Sequence, residues 1–501
     1  MLKKIRRTLA VLCFLAVTLL FLDFTGTLHH WLGWMAKIQF LPAVLALNVV
    51  IIAALVLLTL IFGRIYCSVI CPLGVMQDII SWIHGKRKKN RFTYSKEVKW
   101  LRYPMLLVLV VAIILGIGSI TALLDPYSTY GQIATNLLQP IYLWCNNGIA
   151  AIAQHYGSYG VYQAEVWIKS IAALTTATAL FIIIAILAWR GGRTYCNTVC
   201  PVGTFLSFIS RFSILKIHID DDKCIKCGMC TRNCKASCID YKNGTVDHSR
   251  CVTCGNCIEK CHKDAIYYGR PRKVTATASA GEQGGVDKSK RAFLIGSGVA
   301  IATTAMAQAK KKVDGGLAAI EDKKMPERKN PITPPGSISA SNMRQHCTAC
   351  QLCVAECPNQ VLQPSGALLT FMQPMMSYEH GYCRPECNRC SQVCPAGAIR
   401  PISLEEKSST KIGTAVWTHF LCIPTKDKNE DGSPVSCGNC ARHCPTQAIT
   451  MIQLDENDEN SPMVPSINAA KCIGCGACEY VCPSRPVAAI HVEGLEDHRT
   501  I

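Results

Sequence analysis

Residues 63–74 read GRIYCSVICPLG, and residues 192–203 repeat this stretch as GRTYCNTVCPVG. The two copies agree at seven of twelve positions, which chance does not readily produce and which indicates an internal duplication. In each copy the two cysteines stand four residues apart, so a helix would place both thiols on one face. Each copy also follows an apolar segment. The pattern therefore predicts a helical hairpin that occurs twice.

The four thiols of this repeat have two interpretations. In the first, Pro72 and Pro201 begin new helices, and the thiols pack as small apolar groups. In the second, pseudo-symmetry brings the thiols together, and they hold a metal cluster or form a redox-active pair near a quinone. The sequence leaves both interpretations open for Cys67, Cys71, Cys196 and Cys200.

Four apolar segments lie within the first 212 residues, at 8–24, 40–62, 101–124 and 166–189. The last three hold about twenty mostly uncharged residues each, enough for a helix to cross roughly 30 Å of hydrocarbon. Basic residues before the first segment resemble the start of a secretory signal, but no small-residue cleavage site follows it. The sequence thus predicts a membrane α-helical bundle of four retained helices in residues 1–212.

Loop charges predict the orientation of this bundle. Eight basic residues and two acidic ones lie between Cys71 and Pro104, so this loop belongs on the cytoplasmic side. No Lys or Arg occurs between Asp125 and Val166, where aromatic residues suit the outer interface. By position alone, acceptors for protons on the outer side would be His29, His30, Asp125 and His155, although each is more simply an ordinary loop or helix-end residue.

Cysteine usage and charge exclude several classes of protein. The chain has 501 residues, 31 cysteines and a net charge of +18. The cysteines occur in C-x2-C-x2-C and C-x3-C runs rather than at the irregular intervals of a disulfide framework, which favours metal ligation. Much of the positive charge lies beside apolar helices, as the positive-inside rule expects, so nucleic acid is not a predicted partner. No P-loop or G-x-G-x-x-G turn indicates nucleotide-driven chemistry.

Residues 213–270 contain two four-cysteine runs with the spacing of a two-cluster ferredoxin. In that pattern the fourth cysteine of each run binds the other cluster. One [4Fe–4S] cluster is therefore assigned to Cys224, Cys227, Cys230 and Cys261, and its neighbour to Cys251, Cys254, Cys257 and Cys234. Lys235 and His262 stand where proline usually follows the fourth ligand. Three thiols remain and are interpreted as structural: Cys13, Cys145 and Cys238.

The linker at 271–336 contains an apolar segment, residues 288–312, between small and polar stretches. Its core at 294–309 has a length between those expected of a spanning helix and of a signal peptide. Lys290 and Arg291 before it, and Ala305-Met306-Ala307 near its end, resemble a twin-arginine export signal and its cleavage site. Three lysines follow, which disfavours a crossing. We expect this segment to cross the membrane, with a hairpin or surface segment as the alternative.

Four further runs fill residues 337–501, and proline follows the last cysteine of each. The runs are Cys347-x2-Cys350-x2-Cys353-x3-Cys357, Cys383-x3-Cys387-x2-Cys390-x3-Cys394, Cys422-x14-Cys437-x2-Cys440-x3-Cys444 and Cys472-x2-Cys475-x2-Cys478-x3-Cys482. They predict four more [4Fe–4S] clusters in small α+β ferredoxin-like units. The whole chain would then hold six clusters on 24 cysteines, about twenty-four iron atoms, and a cluster at the duplicated motif would add about four.

The order of these runs resembles the four-cluster electron-transfer subunits of molybdenum oxidoreductases, in which the outer runs pair with each other and so do the inner runs. The resemblance implies four ligand sets: Cys347, Cys350 and Cys353 with Cys482; Cys472, Cys475 and Cys478 with Cys357; Cys383, Cys387 and Cys390 with Cys444; and Cys422, Cys437 and Cys440 with Cys394.

Residues 1–270 resemble NapH-type quinol dehydrogenase ferredoxin subunits, and residues 271–501 resemble NapG-type ones, so the chain is similar to a fusion of the two. The resemblance implies a protein of the bacterial inner membrane, with residues 213–270 in the cytoplasm and residues 337–501 in the periplasm. It also implies that quinol from the membrane pool is oxidised and that electrons pass through the clusters to a periplasmic reductase or cytochrome.

Two alternatives to this function stay open. One is an iron–sulfur maturation or assembly factor for a respiratory metalloenzyme. The other is a protein with both cysteine arrays in the cytoplasm, which links a soluble ferredoxin pool to quinone.

Overall fold

The computed structural model describes residues 2–87, 92–270, 322–427, 433–455, 457–458 and 461–501. Three units follow one another along the chain: a helical unit (2–210), a two-run unit with two cysteine runs (213–270), and a four-run unit with the other four (322–501). The apolar segment at 294–309 lies outside the described residues, so its crossing stays a prediction.

The helical unit begins with α1 (Leu2–Leu22) and ends with α14 (Pro201–Ser210). Between them lie α2 (Thr27–Leu32), α3 (Trp34–Lys37), α4 (Phe40–Leu45), α5 (Val49–Phe62), α6 (Ile65–Val69), α7 (Pro72–Arg87), α8 (Lys99–Ile114), α9 (Gly118–Leu124), α10 (Pro126–Ile133), a π-helical turn (Ala134–Leu138), α11 (Gln139–His155), α12 (Ile171–Gly191) and α13 (Thr194–Thr198).

Two of these helices, α1 and α12, are long and apolar enough to cross a membrane by length and composition. Each has 21 residues, or about 31 Å at 1.5 Å per residue. The other two apolar segments are interrupted. The second divides at Leu47, which has a φ of 52°, and Asn48 then caps α5 by accepting a hydrogen bond from the Ile51 amide. The third divides at Gly116, with a φ of 68°.

The second and third segments are therefore not single continuous helices, and the predicted four-helix membrane bundle is not confirmed. Hydropathy could not reveal these breaks, because the residues on either side of them are as apolar as the helices. The physical reason is local: an asparagine N-cap and a glycine that adopts the left-handed conformation each end one helix and begin the next.

Helices α1 and α12 run between the two cysteine-rich units in opposite directions. Lys3, at the start of α1, pairs with Glu259 of the two-run unit. The loop after α1 meets the four-run unit, where Gly26 faces Glu356. Before α12, Lys169 donates to the Val354 carbonyl of the four-run unit at 3.1 Å. After α12, the Arg193 amide donates to the Lys235 carbonyl of the two-run unit at 2.8 Å. The two units thus lie at opposite ends of both helices.

The helix breaks supply the surface on which the four-run unit docks. A Cβ on Gly116 would lie 3.1 Å from the Gln345 side chain, and Ala46 lies beside Gly397. Gln132 and Asn136 donate to the Ala349 carbonyl and the Gln351 side chain at 3.2 and 2.8 Å. Small residues and helix ends therefore let the backbones of the helical unit and the four-run unit approach closely.

The two-run unit is built from two antiparallel strand pairs and two one-turn helices. Strand β1 (Lys216–Ile219) pairs with β4 (Ile266–Gly269), and β2 (Ile239–Asp240) pairs with β3 (Thr245–Val246). The helices are α15 (Met229–Arg232) and α16 (Asn256–Glu259). Hydrogen bonds from Arg64 and Arg102 to the Ser249 carbonyl, at 3.0 and 3.2 Å, fix this unit against the helical unit.

The four-run unit has the same style of construction on a larger scale. Three antiparallel pairs join β5 (Leu362–Pro364) to β6 (Pro374–Met376), β7 (Thr410–Trp417) to β10 (Ile490–Thr500), and β8 (Ile449–Gln453) to β9 (Met463–Ile467). Its helices are α17 (Ala340–His346), α18 (Leu352–Glu356), α19 (Arg389–Val393), α20 (Leu404–Ser409), α21 (Ile423–Lys426), α22 (Asn439–Arg442) and α23 (Ala477–Val481), with a 3-10 turn at His419–Leu421. Both units are small α+β folds, in line with the sequence.

Asp78 on α7 ties the helical unit to the two-run unit through buried charge. Its carboxylate accepts from Arg193 at 2.7 Å and from Arg6 at 3.1 Å, and it also pairs with Lys235. Burial alone would raise the pKa of Asp78, but the three cations hold it well below its usual range. Four elements distant in sequence therefore meet at one carboxylate.

We expect Asp78→Asn to lower the free energy of unfolding by about 3–5 kcal/mol, because it leaves three buried cations without their anion. Thermal or denaturant unfolding of the purified protein measures the effect. The control is Asp222→Asn, because Asp222 is exposed and the substitution removes the same charge from the protein surface. Equal unfolding curves for the two variants would contradict this account.

Candidate iron–sulfur sites

The duplicated motif brings its four cysteines together inside the helical unit. All four thiols are buried. In each copy the first cysteine lies on a one-turn helix, α6 or α13, and the second directly precedes the proline that begins α7 or α14. Burial raises the pKa of Cys200, and the nearby Cys196, Cys71 and Cys67 raise it further. The structure thus places these thiols within electrostatic reach of one another.

Two arginines cross between the copies of the motif. Arg64 donates to the Cys196 carbonyl at 3.2 Å, and Arg193 donates to the Cys67 carbonyl at 2.5 Å. The same guanidinium groups approach sulfur, Arg64 at 3.8 Å from Cys67 and Arg193 at 3.9 Å from Cys196. Both arginines are fully buried, and each keeps one N–H group without a partner among the described residues. Buried positive charge beside four thiols suits a thiolate-bound, negatively charged group.

Each arginine needs a glycine in the opposite copy. A Cβ on Gly203 would lie 2.5 Å from the Cys196 carbonyl oxygen and 2.7 Å from Arg64, and a Cβ on Gly74 would lie 2.6 Å from Arg193. These separations are too short for real atoms. The last glycine of the repeat is therefore required for the close packing of the two copies.

In the two-run unit, the structure gathers one predicted ligand set. Cys234 and Cys251 lie close to Cys254, and Cys257 is close to all three. At the other end, Cys230 lies near Cys224 and Cys227. Cys261 follows α16 and is half-buried.

Cys238, interpreted from sequence as a structural thiol, touches this set. Its sulfur lies 3.5 Å from that of Cys234, and it also neighbours Cys251. Its spacing gave no signal, because it stands outside the four-cysteine run.

In the four-run unit, three cavities are each lined by four cysteines. The sets are Cys357, Cys383, Cys387 and Cys390; Cys422, Cys437, Cys440 and Cys482; and Cys444, Cys472, Cys475 and Cys478. A fourth set is Cys347, Cys350, Cys353 and Cys394. Burial raises the pKa of the first three of these thiols, and Cys394 raises each further, which places it beside them.

These sets differ from those that the molybdenum-oxidoreductase resemblance implies. Cys482 lies with the third run and not with the first, and Cys394 lies with the first run and not with the third. The same exchange moves Cys357 to the second run and Cys444 to the fourth. In the structure, neighbouring runs therefore exchange their fourth cysteines, unlike the outer-with-outer arrangement that the resemblance implies.

Packing of one-turn helices explains the local exchange. In every run the third and fourth cysteines flank or lie on a short helix, and consecutive helices pack together: α15 on α16, α18 on α19 and α22 on α23. Each helix therefore delivers its last cysteine to its neighbour's loop. In the two-run unit, Cys234 likewise lies beside the cysteines of the second run.

Within each cysteine-rich unit, every cysteine set has another set as its neighbour. Cys230 of the first set neighbours Cys257 of the second. In the four-run unit, Cys353 neighbours Cys390, the Cys383 amide donates to the Cys475 carbonyl at 3.0 Å, and Cys478 neighbours Cys440. The four thiols of the helical unit lie between the two series.

The donor chemistry of these sets fits iron–sulfur clusters. No group of His, Cys, Asp or Glu in the described part of the chain converges tightly enough to hold a single metal ion. A [4Fe–4S] cluster does not need such convergence, since four iron atoms lie between its thiolates, and all-cysteine sets are its usual ligands. The sets above would hold such clusters.

Two families of known proteins match parts of the chain. A 4Fe-4S binding domain family matches residues 44–90 and again residues 174–219, and a 4Fe-4S dicluster domain family matches residues 435–485. The first family covers the two copies of the duplicated motif. Each copy contributes only two cysteines, so a four-thiol site needs both.

Three relatives illustrate the similarity. The methylamine utilization ferredoxin-type protein MauN of Methylobacillus flagellatus is 27% identical over 34% of this chain and 48% of its own length. The putative electron transport protein YccM of Escherichia coli is 24% identical over 39% of this chain and 47% of its own. The ferredoxin-type protein NapF of Escherichia coli is 29% identical over 18% of this chain and 52% of its own. The chain spans about half the length of each, and no solved structure matches it.

The chain therefore contains regions that match 4Fe-4S binding families, and it is similar at low identity to the ferredoxin-type and electron transport proteins MauN, YccM and NapF. The comparisons do not single out the NapH and NapG families.

The exchange of fourth cysteines can be tested by iron counting. We expect Cys350→Ala and Cys394→Ala to disturb the same cluster, so each single variant and the double variant should lose about four iron atoms. Cys350→Ala combined with Cys482→Ala should lose about eight, because these thiols lie in different sets. If the second combination loses only four, the outer-with-outer pairing holds instead. Iron analysis with electron paramagnetic resonance of the reduced protein distinguishes the outcomes.

Gly74 and Gly85 offer a matched pair on one helix. Gly74→Ala should destabilise the protein by about 1–3 kcal/mol, since its methyl group meets Arg193 and the Cys67 carbonyl. Gly85→Ala meets nothing within 4 Å and should be neutral or stabilising by up to about 1 kcal/mol through helix propensity. Thermal unfolding measures both, and destabilisation of equal size in the two variants would refute the close-approach argument.

Proposed function

We propose that this protein is a membrane-bound quinol dehydrogenase component that carries electrons between the two sides of a bacterial inner membrane. One observation carries the proposal: both long apolar helices join the two-run unit at one end to the four-run unit at the other. A protein whose helices cross the membrane in this way has cluster sites on both sides.

Exposed apolar side chains support the membrane placement. On α1 these are Ile5, Leu9, Val11, Leu12, Leu15 and Leu19, and on α12 they include Ile171, Ile182, Ile183 and Ile186. Apolar surface of this extent on both long helices suits contact with lipid. In the basic stretch between Cys71 and Pro104, the amides of Phe92 and Ser95 donate to carbonyls of the two-run unit. By the positive-inside rule this supports a cytoplasmic two-run unit and, in our proposal, a periplasmic four-run unit.

When bound, [4Fe–4S] clusters supply one-electron transfer, and the chain arranges their sites in a series. We propose six clusters on the cysteine sets above, with Cys261 completing the set of Cys224, Cys227 and Cys230. A seventh cluster on the four thiols of the helical unit would fill the interval between the two series.

Three buried tyrosines of the helical unit lie between its four thiols and the four-run unit. Tyr66 and Tyr195 lie near the thiols of the duplicated motif and near Asp125. Tyr127 lies near Asp125 and also near Cys350 and Cys394. All three tyrosines are buried. They exclude water and ions from the space between the helical thiols and the four-run unit. Tyr127 also packs the set of Cys347, Cys350, Cys353 and Cys394 against the helices.

The far ends of the series are where partners would exchange electrons. Cys227 is exposed at the cytoplasmic end. At the other end, the set of Cys422, Cys437, Cys440 and Cys482 lies next to exposed Phe420. A periplasmic reductase or cytochrome would dock at this second end. The names of MauN and YccM, which describe ferredoxin-type and electron transport proteins, agree with such a role.

A reduced quinone analogue added under argon should bleach the visible absorbance of the clusters in the purified protein. Replacing the helical thiols Cys196 and Cys200 by alanine should remove about four iron atoms and restrict bleaching to the clusters on one side of the interval. Cys145→Ala, which changes an exposed thiol outside every set, serves as the control and should behave as the unmodified protein does.

Reduction by dithionite or soluble ferredoxin, but not by quinol, would end the quinol role. An acceptor enzyme that lacks its own metal centre in a strain without this protein would point to maturation instead of electron delivery.

A further inference from the structure

A cavity of about 710 Å³ lies between α1, α7 and the two-run unit. We call it the basic cavity. Seven of its lining residues are lysine or arginine, and Asp78 is the acidic residue among them. None of the cysteine sets lines this cavity, so it is separate from the sites described above.

Some of these cations are already neutralised. Arg6 and Lys235 share Asp78, and Lys3 pairs with Glu259. The other four, which have no acidic partner in the described part of the chain, are Arg7, Lys86, Arg232 and Lys260.

The four free cations come from three separate parts of the fold. Arg7 is on α1, Lys86 is on α7, and Arg232 and Lys260 are in the two-run unit. Arg232 donates to the Cys227 carbonyl at 3.1 Å, and the Lys86 ammonium lies 4.1 Å from the centre of the Trp82 ring. These contacts hold the side chains near the cavity without cancelling their charge. Like charges gathered around one cavity repel one another, so an anion there would be stabilised by all four.

One wall of the same cavity is apolar and open. Val11 of α1 and Ile79 and Trp82 of α7 line it, with 52%, 37% and 55% of their surface exposed. Val11 belongs to the same apolar face of α1 that suits lipid. The occupant that matches both walls carries an anionic head and a long apolar tail.

We propose that the basic cavity binds an acidic phospholipid of the cytoplasmic leaflet. Arg7, Lys86, Arg232 and Lys260 hold its phosphate group, and the acyl chain lies along Val11, Ile79 and Trp82. The site is at the level of the membrane where anionic lipids meet basic residues. This inference rests on the membrane placement proposed above. A free phosphate would leave the apolar wall uncovered, and a neutral quinol would leave the four cations without an anion.

The bound lipid connects the two-run unit to the helices. Its head group contacts both sides of their boundary, next to the pairs that Lys3 and Asp78 already make across it. Lipid binding therefore stabilises the docked position of the unit.

The test uses the full-length, cluster-loaded protein in a neutral detergent. Phosphatidylglycerol, phosphatidylcholine, inorganic phosphate and a soluble quinone analogue are added separately, and binding is followed by native mass spectrometry and thermal unfolding. Phosphatidylglycerol should bind and raise the unfolding temperature, while phosphatidylcholine should have little effect.

Two triple variants with equal net charge locate the site. Arg7→Gln/Lys86→Gln/Lys260→Gln should bind phosphatidylglycerol about 100-fold more weakly, at about 1 kcal/mol for each cation removed. The control changes three exposed lysines outside the cavity, Lys242→Gln/Lys426→Gln/Lys471→Gln, and should bind as the unmodified protein does.

Three results would overturn the proposal: equal binding by both triple variants, an equal shift with inorganic phosphate, or displacement of the lipid by the quinone analogue. If the lipid does not bind but quinol still reduces the clusters, the lipid site fails and the proposed function stands. If salt alone releases the protein from membranes, both fail together.

Discussion

Arg64 and Arg193 each reach across the duplicated motif to a carbonyl of the other copy, and the helical unit depends on this exchange. Neither guanidinium could be buried without the carbonyl acceptor that the opposite copy supplies, because an unpaired buried charge costs several kcal/mol. Arg193 also pairs with Asp78, and Arg64 donates to Ser249 of the two-run unit. The same two side chains therefore join the halves of the helical unit, surround its thiols with positive charge and anchor the neighbouring unit.

The opposite end of the helices is held in another way. There the docking surface consists mainly of helix ends, small residues and amide side chains that meet backbone carbonyls, with Lys169 and Glu356 as charged residues beside them. The interruptions in the second and third apolar segments leave room for the four-run unit to approach the ends of α1 and α12. The breaks at Leu47 and Gly116 are thus part of the interface and not defects in a bundle.

Much of this arrangement follows from sequence, and the rest does not for identifiable reasons. Cysteine spacing predicts every four-cysteine run, because cluster ligation demands fixed intervals along a loop. It does not predict which runs are neighbours in space, since that depends on how α18, α19, α22 and α23 pack. The resemblance to molybdenum-enzyme subunits suggested neighbours that differ from those in the structure. Repetition pointed to Arg64, Arg193, Gly74 and Gly203, but only the structure shows that each acts on the opposite copy. Asp78 gave no signal beyond its place in a basic loop.

The local exchange of fourth cysteines also bears on how the chain is made. Both sets formed by the first two runs close within residues 347–394, and both sets formed by the last two close within residues 422–482. If the outer runs were paired, the site of Cys347 could be completed only after Cys482 had been synthesised. Short loops close at a smaller entropic cost than long ones, and domains tend to fold in the order of their synthesis. The first two sites can thus be completed while the later part of the chain is still on the ribosome.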